Sequence, residues 1–319
     1  MKISIIIPVY NEIDSLQALN KSLHETMDRL PNPWEVIFVD DGSQDGSTGC
    51  LEEIGKGDPE HVRAVLFRRN FGQTAAIAAG IDQSDGDVIV LMDADLQNDP
   101  ADIPMMLDKI REGYDVVSGW RVERQDKFLT RRVPSQIANG LISRVTGVHL
   151  HDYGCTLKAY CRDVITGFRL YGEMHRFIPA YASLVGARIT EVPVHHHARK
   201  FGRTKYGLGR TFKVILDLFT VKFLLSYADK PIYLFGGAGV GMIALSLLVL
   251  FYLVLMRIIA GEHMIRSPLL LMSVMLFILG AQSILMGLMA ELLARTYHES
   301  QQKPTYIIRR VINGNHEKQ

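Results

Sequence analysis

Two aspartates, Asp93 and Asp95, follow the apolar run Asp87 to Leu91 in the stretch Leu91-Met92-Asp93-Ala94-Asp95-Leu96-Gln97. A buried strand ending in paired carboxylates brings hard oxygen ligands to the rim of a sheet, where a divalent cation and phosphates can sit. Alone, Asp-x-Asp is also the composition of a solvated turn. Three more polar clusters follow strand-like runs: Pro8-Val9-Tyr10-Asn11-Glu12, Asp40-Asp41-Gly42-Ser43 and Arg68-Arg69-Asn70-Phe71-Gly72-Gln73. Four clusters of acids, amides and arginines at equivalent strand ends predict one polar binding site along one sheet edge.

The elements that position these clusters alternate. Ile3 to Val9, Glu35 to Val39, Arg63 to Phe67, Asp87 to Leu91 and Asp115 to Ser118 are short, β-branched runs bounded by turn residues or charges. Leu16, Leu19, Leu23 and Met27 recur at helical spacing, with Asp14 and Gln17 predicting a capping box. A second, Ala-rich helix covers Gln73 to Gln83, and a third follows Pro100 with Asn98 or Asp99 as its cap. This alternation predicts an α/β fold with a largely parallel sheet, helices on both faces, and ligands at the carboxyl ends of the strands.

The 319 residues carry a net charge of +1, so no basic excess points to nucleic acid. Cys50, Cys155 and Cys161 have neither zinc-finger nor CxxC spacing and read as reduced thiols. The N-terminal apolar run is too short for a signal-peptide core, so the first domain is expected in the cytoplasm.

PVYNE, VDDGS, RNFGQ and DADLQ, in this order, resemble the family 2 glycosyltransferases with the GT-A nucleotide-binding fold. Asp152-Tyr153-Gly154-Cys155 and Arg199-Lys200-Phe201-Gly202-Arg203-Thr204-Lys205-Tyr206, followed by an apolar hairpin, narrow the likeness to bacterial polyisoprenyl-phosphate glycosyltransferases, relatives of dolichol-phosphate mannose synthase. The resemblance implies that Pro8, Tyr10, Glu12 and Asp41 hold uridine and ribose, with Asp40 supporting that loop. An ionised Asp41 only accepts hydrogen bonds and so suits a donor group on the base or sugar. Asp93 and Asp95 match the DxD motif that binds the donor diphosphate through Mg²⁺ or Mn²⁺, with Asp95 as the main ligand and Gln97 beside metal and sugar.

By the same resemblance, Arg203 and Lys205 belong to a loop that closes on the diphosphate. Arg121, Arg131, Arg132 and Ser135 precede or open a predicted helix from Pro134 to Val145, an arrangement suited to an anionic lipid head group. A solvated or lipid-facing basic surface is the alternative for Arg131 and Arg132. Asp152 is expected on the acceptor side as base or orienting group; a lipid phosphate, already ionised at neutral pH, makes little demand for a base. His195-His196-His197 is read as the end of the strand Ile189 to Val194 and not as a metal cluster.

Pro231 to Met256 and Pro268 to Ala290 lack charges over lengths that span a hydrocarbon core, joined by the short link Arg257 to Ser267. Gly237 and Gly241 form a GxxxG pair expected to let the helices approach closely. Lys and Arg gather before the first span and after the second, placing both ends in the cytoplasm. Leu208 to Tyr227 reads as an amphipathic interfacial helix. Thr305 to Ile312 has strand character, and an exposed edge there could pair with a neighbouring subunit.

The expected organisation is therefore a cytoplasmic GT-A domain over 1–206, an amphipathic helix over 207–229, two transmembrane helices within 230–295 and a cytoplasmic tail over 296–319. The resemblance implies inverting transfer of glucose from UDP-glucose to undecaprenyl or another polyprenyl phosphate, by a homo-oligomer, since relatives with this architecture can be tetrameric. Mannose, galactose, N-acetylhexosamine and aminoarabinose are alternative sugars. A processive polysaccharide synthase is disfavoured because the Gln-x-x-Arg-Trp motif and further spans are missing from the sequence.

Overall fold

The computed structural model describes residues 1–122, 139–140, 142–144, 146–166, 170, 174–197, 232–260, 267–300 and 306–313. Arg131, Arg132, Ser135, Arg203, Lys205 and the amphipathic segment 207–229 lie outside the described residues. The chain divides into two compact units, Met1–Val221 with Pro304–Gln319, and Lys222–Lys303.

In the first unit the strand–helix alternation gives β1 (Ile3–Val9), α1 (Ile13–Met27), β2 (Trp34–Asp40), α2 (Ser47–Gly57), β3 (Val62–Phe67), α3 (Gln73–Gln83), β4 (Val88–Leu91), α4 (Ile103–Arg111) and β5 (Val116–Arg121). Then come β6 (Lys158–Cys161), α5 (Ile178–Leu184) and β7 (Ile189–Val194). Ile3, Ile5, Ile7 and Val9 of β1 pack with Leu16, Leu19, Leu23 and Met27 of α1 in one buried cluster. Ile6 points to the other sheet face, against Gly80 of α3. Burying one such side chain contributes roughly 1.5–3 kcal/mol, which is why both-face burial selects the near-continuous apolar runs of β1 to β4.

The described strands form one sheet in the order β7-β5-β6-β4-β1-β2-β3 followed by β8 (Ile308–Ile312). β1 to β4 are mutually parallel, and the register pairs Val9 with Asp40 and Asp40 with Leu66. Their carboxyl ends therefore lie level, so the following loops meet along one edge. β6 runs antiparallel between β4 and β5, and β7 continues parallel to β5.

The start of α1 differs from expectation, while the other chain ends and corners are closed by local partners. α1 starts at Ile13 without a side-chain cap from Asp14. Its leading amides are satisfied from the loop after β2: Glu12 N–H donates to Ser47 Oγ at 3.1 Å and Ile13 N–H to Asp45 Oδ2 at 3.1 Å. Asp99 caps the turn ahead of α4, accepting from Ala101 N–H at 2.9 Å. The tail strand β8 pairs antiparallel with β3 of its own chain and forms the outermost strand on that side of the sheet. Tyr306 locks this return, stacking on Phe67 at 5.4 Å and donating to Asp82 Oδ2 at 2.5 Å.

The second unit is a hairpin of α6 (Ile232–Ala260) and α7 (Pro268–Ser300). Tyr233–Ile259 and Pro268–Ala290 are long and apolar enough to cross a membrane. Gly237 and Gly241 face open space; the close approach is made by Gly239 and Gly280. A Cβ on Gly239 would stand 2.6 Å from Gly280 O, and one on Gly280 would stand 2.7 Å from Gly239 O. Ser246 Oγ donates to Ser273 O at 2.7 Å, Ser273 Oγ to Ser246 O at 3.1 Å, and Ser283 Oγ to Phe235 O at 2.8 Å. Small residues and reciprocal hydroxyls are the means by which apolar helices associate without a hydrophobic driving force.

Candidate active site

Pro8, Tyr10, Glu12, Asp41, Asn70, Gly72, Gln73, Asp93 and Asp95 line one cleft of about 220 Å³ at the carboxyl edge of the sheet. A second hollow of about 260 Å³ shares Tyr10 and Asn70 with it and includes Asp40, Arg68, Arg69 and Arg309. The four strand-end clusters thus converge as the parallel topology requires. The loops hold one another. Asn11 N–H donates to Ser43 Oγ at 2.9 Å, and Gln44 N–H donates back to Asn11 Oδ1 at 2.8 Å.

The adjacent acids Asp40 and Asp41 divide their work. Asp40 is buried and accepts from Ser43 N–H at 2.9 Å and Thr48 Oγ1–H at 2.5 Å, so it fixes its own loop. Asp41 accepts from Phe71 N–H at 2.6 Å and Gly72 N–H at 2.9 Å, tying the β2 loop to the β3 loop. Burial lifts its carboxyl above the ordinary range, opposed by these two amides and reinforced by the Asp40 charge. Gly42 permits the crossing: its φ is +72°, and a Cβ there would stand 2.6 Å from the Arg69 backbone.

Asp93 is held from two sides. Gln73 Nε2, at the start of α3, donates to Oδ1 at 2.9 Å, and Thr156 Oγ1 donates to Oδ2 at 2.8 Å. Asn98 Nδ2 in turn donates to Thr156 Oγ1 at 2.9 Å. Burial, then the neighbouring Asp95 charge, push the Asp93 carboxyl up to about 6, against the Thr156 bond and the charges of Arg121 and Lys158. Asp95 is part-exposed in the cleft and accepts from Gln97 N–H at 3.2 Å across Leu96, whose φ of +59° turns the chain. Gln97 sits on the rim, its Nε2 3.5 Å from His197 O. An all-oxygen donor set of two like-charged carboxylates fits Mg²⁺ or Mn²⁺.

Arg121 at the end of β5 and Asp152, both expected from sequence to serve the acceptor, grip each other. Arg121 Nε donates to Asp152 Oδ2 at 2.6 Å and Nη2 to Oδ1 at 3.0 Å, with Asp152 3% exposed. Gly154 N–H also donates to Asp152 Oδ1 at 3.1 Å. A carboxylate fixed by a bidentate guanidinium is a poor proton acceptor, so the geometry favours an orienting role for Asp152 over a base.

Several residues on this floor carry no signal in sequence. Lys158 of β6 is buried beneath the site, donating to the carbonyls of Tyr153 and Cys155, and burial drives its pKa down. Thr156 lies just beyond the Asp152 motif, and Arg309 arrives from the tail strand β8. The histidine run ends β7, as read from sequence, and clamps the loop after β4. His195 Nδ1 lies 2.7 Å from Asp102 Oδ1, and His197 Nε2 lies 3.0 Å from Asp99 Oδ2. The three cysteines form no disulfide.

This is the GT-A architecture, a nucleotide-sugar-binding α/β sheet with its acids at the strand ends. The Glycosyl transferase family 2 model matches residues 4–168. A dodecaprenyl-phosphate galacturonate synthase of Rhizobium johnstonii is 44% identical over 98% of this chain and 94% of its own. An undecaprenyl-phosphate 4-deoxy-4-formamido-L-arabinose transferase of Edwardsiella ictaluri is 38% identical over 98% of this chain and 95% of its own. The fold matches the glucosyl-3-phosphoglycerate synthase of Mycobacterium tuberculosis solved with Mn²⁺ and UDP-glucose (TM-score 0.53, 18% identity, 69% of this chain and 78% of that one). It also matches the mannosyl-3-phosphoglycerate synthase of Rubrobacter xylanophilus (TM-score 0.55, 15% identity, 70% and 74%). The chain belongs to glycosyl transferase family 2 and, within it, to the polyprenyl-phosphate glycosyltransferases.

Proposed function

We propose that this enzyme moves one sugar from a UDP-sugar to a polyprenyl phosphate at the cytoplasmic face of a membrane, with inversion at the anomeric carbon. The observation that carries it is the cleft in which all four strand-end clusters meet around Asp93 and Asp95. Pro8, Tyr10, Glu12 and Asp41 are the residues proposed for the nucleoside, with Asp40 and the Asp41-bound amides of Phe71 and Gly72 setting their positions. Asp95, with Asp93 behind it, would hold Mg²⁺ or Mn²⁺; when bound, such an ion supplies charge stabilisation to the departing diphosphate.

The acceptor phosphate oxygen attacks the anomeric carbon as the bond to the UDP oxygen breaks, giving a β-linked polyprenyl monophosphate sugar and UDP. That oxygen is already ionised at neutral pH, so no protein base is required. Arg121, oriented by Asp152, is proposed to attract it; Arg131, Ser135, Arg203 and Lys205 remain proposed phosphate ligands from sequence. The two apolar helices would anchor the chain with both ends cytoplasmic, as the flanking Lys and Arg suggest.

For the sugar, galacturonate and aminoarabinose derivatives stand ahead of the expected glucose, because relatives covering nearly the whole chain are named for them. Purified full-length chain, Mg²⁺ or Mn²⁺, polyprenyl phosphate and a panel of UDP-sugars test this. UDP release with a uronate or aminoarabinose donor, dependent on the lipid and lost in Asp95→Ala, is the expected result. Turnover with UDP-glucose alone would restore glucose; undiminished turnover in Asp95→Ala would remove the metal role.

A further inference from the structure

At the amino ends of β2 and β3, the sheet edge opposite the cleft, three potential metal ligands from two elements come together. His24 lies in the last turn of α1, while Asp58 and His61 belong to the corner between α2 and β3. One ligand atom from each lies within 4.8 Å of the others. His24 Nε2 is 3.1 Å from Asp58 Oδ2, and His61 Nδ1 is 3.2 Å from Asp58 Oδ1. Donor atoms about 2.0–2.1 Å from a tetrahedral zinc stand about 3.3 Å apart, close to each of these spacings, which run to the two different oxygens of Asp58.

Two further observations point to a cation and not to a simple ion pair. Asp58 Oδ2 is shielded from solvent yet accepts no hydrogen bond of good geometry, although His24 Nε2 lies beside it. The other nitrogen of His24, Nδ1, lies 3.1 Å from Asp28 Oδ2. With its proton on Nδ1 toward Asp28, His24 presents the Nε2 lone pair toward Asp58, the carboxylate–histidine arrangement of zinc ligands. Asp28 is itself fixed by Trp34 Nε1–H at 3.2 Å, and Trp34 stacks on the His61 ring at 4.5 Å and 26°. Both imidazoles are thus oriented by neighbours that do not belong to the catalytic cleft.

We propose that His24, Asp58 and His61 form a zinc site that pins the end of α1 to the α2–β3 corner, with a fourth position open to water. Two imidazoles and one carboxylate select a borderline ion such as Zn²⁺ over Mg²⁺, which takes oxygen ligands. An ion bound by the folded chain and not by the unfolded one raises Tm as its concentration rises.

The test uses untagged full-length chain in detergent, stripped by chelator and dialysed against Zn²⁺ in excess Mg²⁺, so that oxygen-lined sites are filled by the hard ion. One zinc per chain, with a zinc-dependent rise in Tm, is expected. His61→Phe, which keeps the stacking on Trp34, and His24→Gln should each abolish both while leaving the zinc-free circular dichroism unchanged. Asp28→Asn should weaken binding roughly ten-fold or more. Co²⁺ substitution should give the visible absorption of a tetrahedral site in the parent protein and not in His61→Phe. Zinc retained in His61→Phe and His24→Gln, or no zinc-dependent change in Tm of the parent, would overturn the assignment.

Discussion

Acidification should loosen the catalytic unit through His175, whose ring is buried against the start of α3. His175 Nδ1 lies 2.7 Å from Thr74 Oγ1, and burial, then the nearby charges of Arg176 and Lys158, lower its pKa to about 3. In the unfolded chain it titrates near 6.5, so between about pH 6.5 and 3 the unfolded state binds a proton that the folded state refuses. The contribution is therefore complete above pH 6.5 and is lost as pH falls through this window. A shift of this size has a ceiling of roughly 5 kcal/mol, and about 2 kcal/mol of it should disappear between pH 7 and pH 5. Both tryptophans, Trp34 and Trp120, lie in the first unit, so denaturant unfolding followed by tryptophan fluorescence reports that unit. The comparison is with His175→Gln, which keeps a partner for Thr74 but does not titrate. The parent should lose about 2 kcal/mol more than the variant between pH 7 and 5, all other titrating groups cancelling in the difference. Parallel pH profiles would refute the reasoning.

Other perturbations separate the roles assigned to individual groups. Arg121→Lys and Asp152→Asn should each lower turnover roughly 10²-fold by misplacing the same guanidinium, and the double variant should be little worse than either. If the acid limb of the pH–rate profile vanished in Asp152→Asn, Asp152 would be a base after all. Thr156→Val removes the donor to Asp93 Oδ2 and should weaken activation by Mg²⁺ or Mn²⁺ roughly 10-fold in a metal titration of turnover; an unchanged titration would sever Thr156 from the site. Gly239→Val should destabilise the helical hairpin by roughly 1–3 kcal/mol through overpacking, whereas Gly237→Val should be near neutral, as read by thermal unfolding of the detergent-solubilised chain. Equal damage at both positions would contradict the packing.

What was legible in sequence follows from periodicity. The strands β1 to β4 are buried on both faces, so they read as apolar runs, and their parallel pairing puts Glu12, Asp41, Gln73 and Asp95 on one edge. β6 was not legible because Lys-Ala-Tyr-Cys is four residues long and opens on a lysine, whose burial depends on carbonyls brought by the loop before it. The helix start was misread because its capping groups, Ser47 and Asp45, come from beyond β2. The glycines show a different limit. Gly237 and Gly241 share one face of α6, while Gly239 lies about 200° around the helix from Gly237. Sequence spacing marks both faces as smooth; the partner, Gly280, decides which one is used.

The Arg121–Asp152 pair shows how the same limit reaches chemistry. From sequence, Asp152 and Arg121 are each expected to serve the acceptor, with nothing to link the two. Once β5 brings them to 2.6 Å, the tasks merge: the acid fixes the fork, and the fork's charge also reaches Asp93. The buried Lys158 adds a second cation near the same acid. Asp93 and Asp152 thus lie among the charges of Arg121 and Lys158, while Asp95 lines the cleft itself. A dication held at Asp95 would offset the charge of a donor diphosphate, so the two together would enter the proposed site with little change in its net charge.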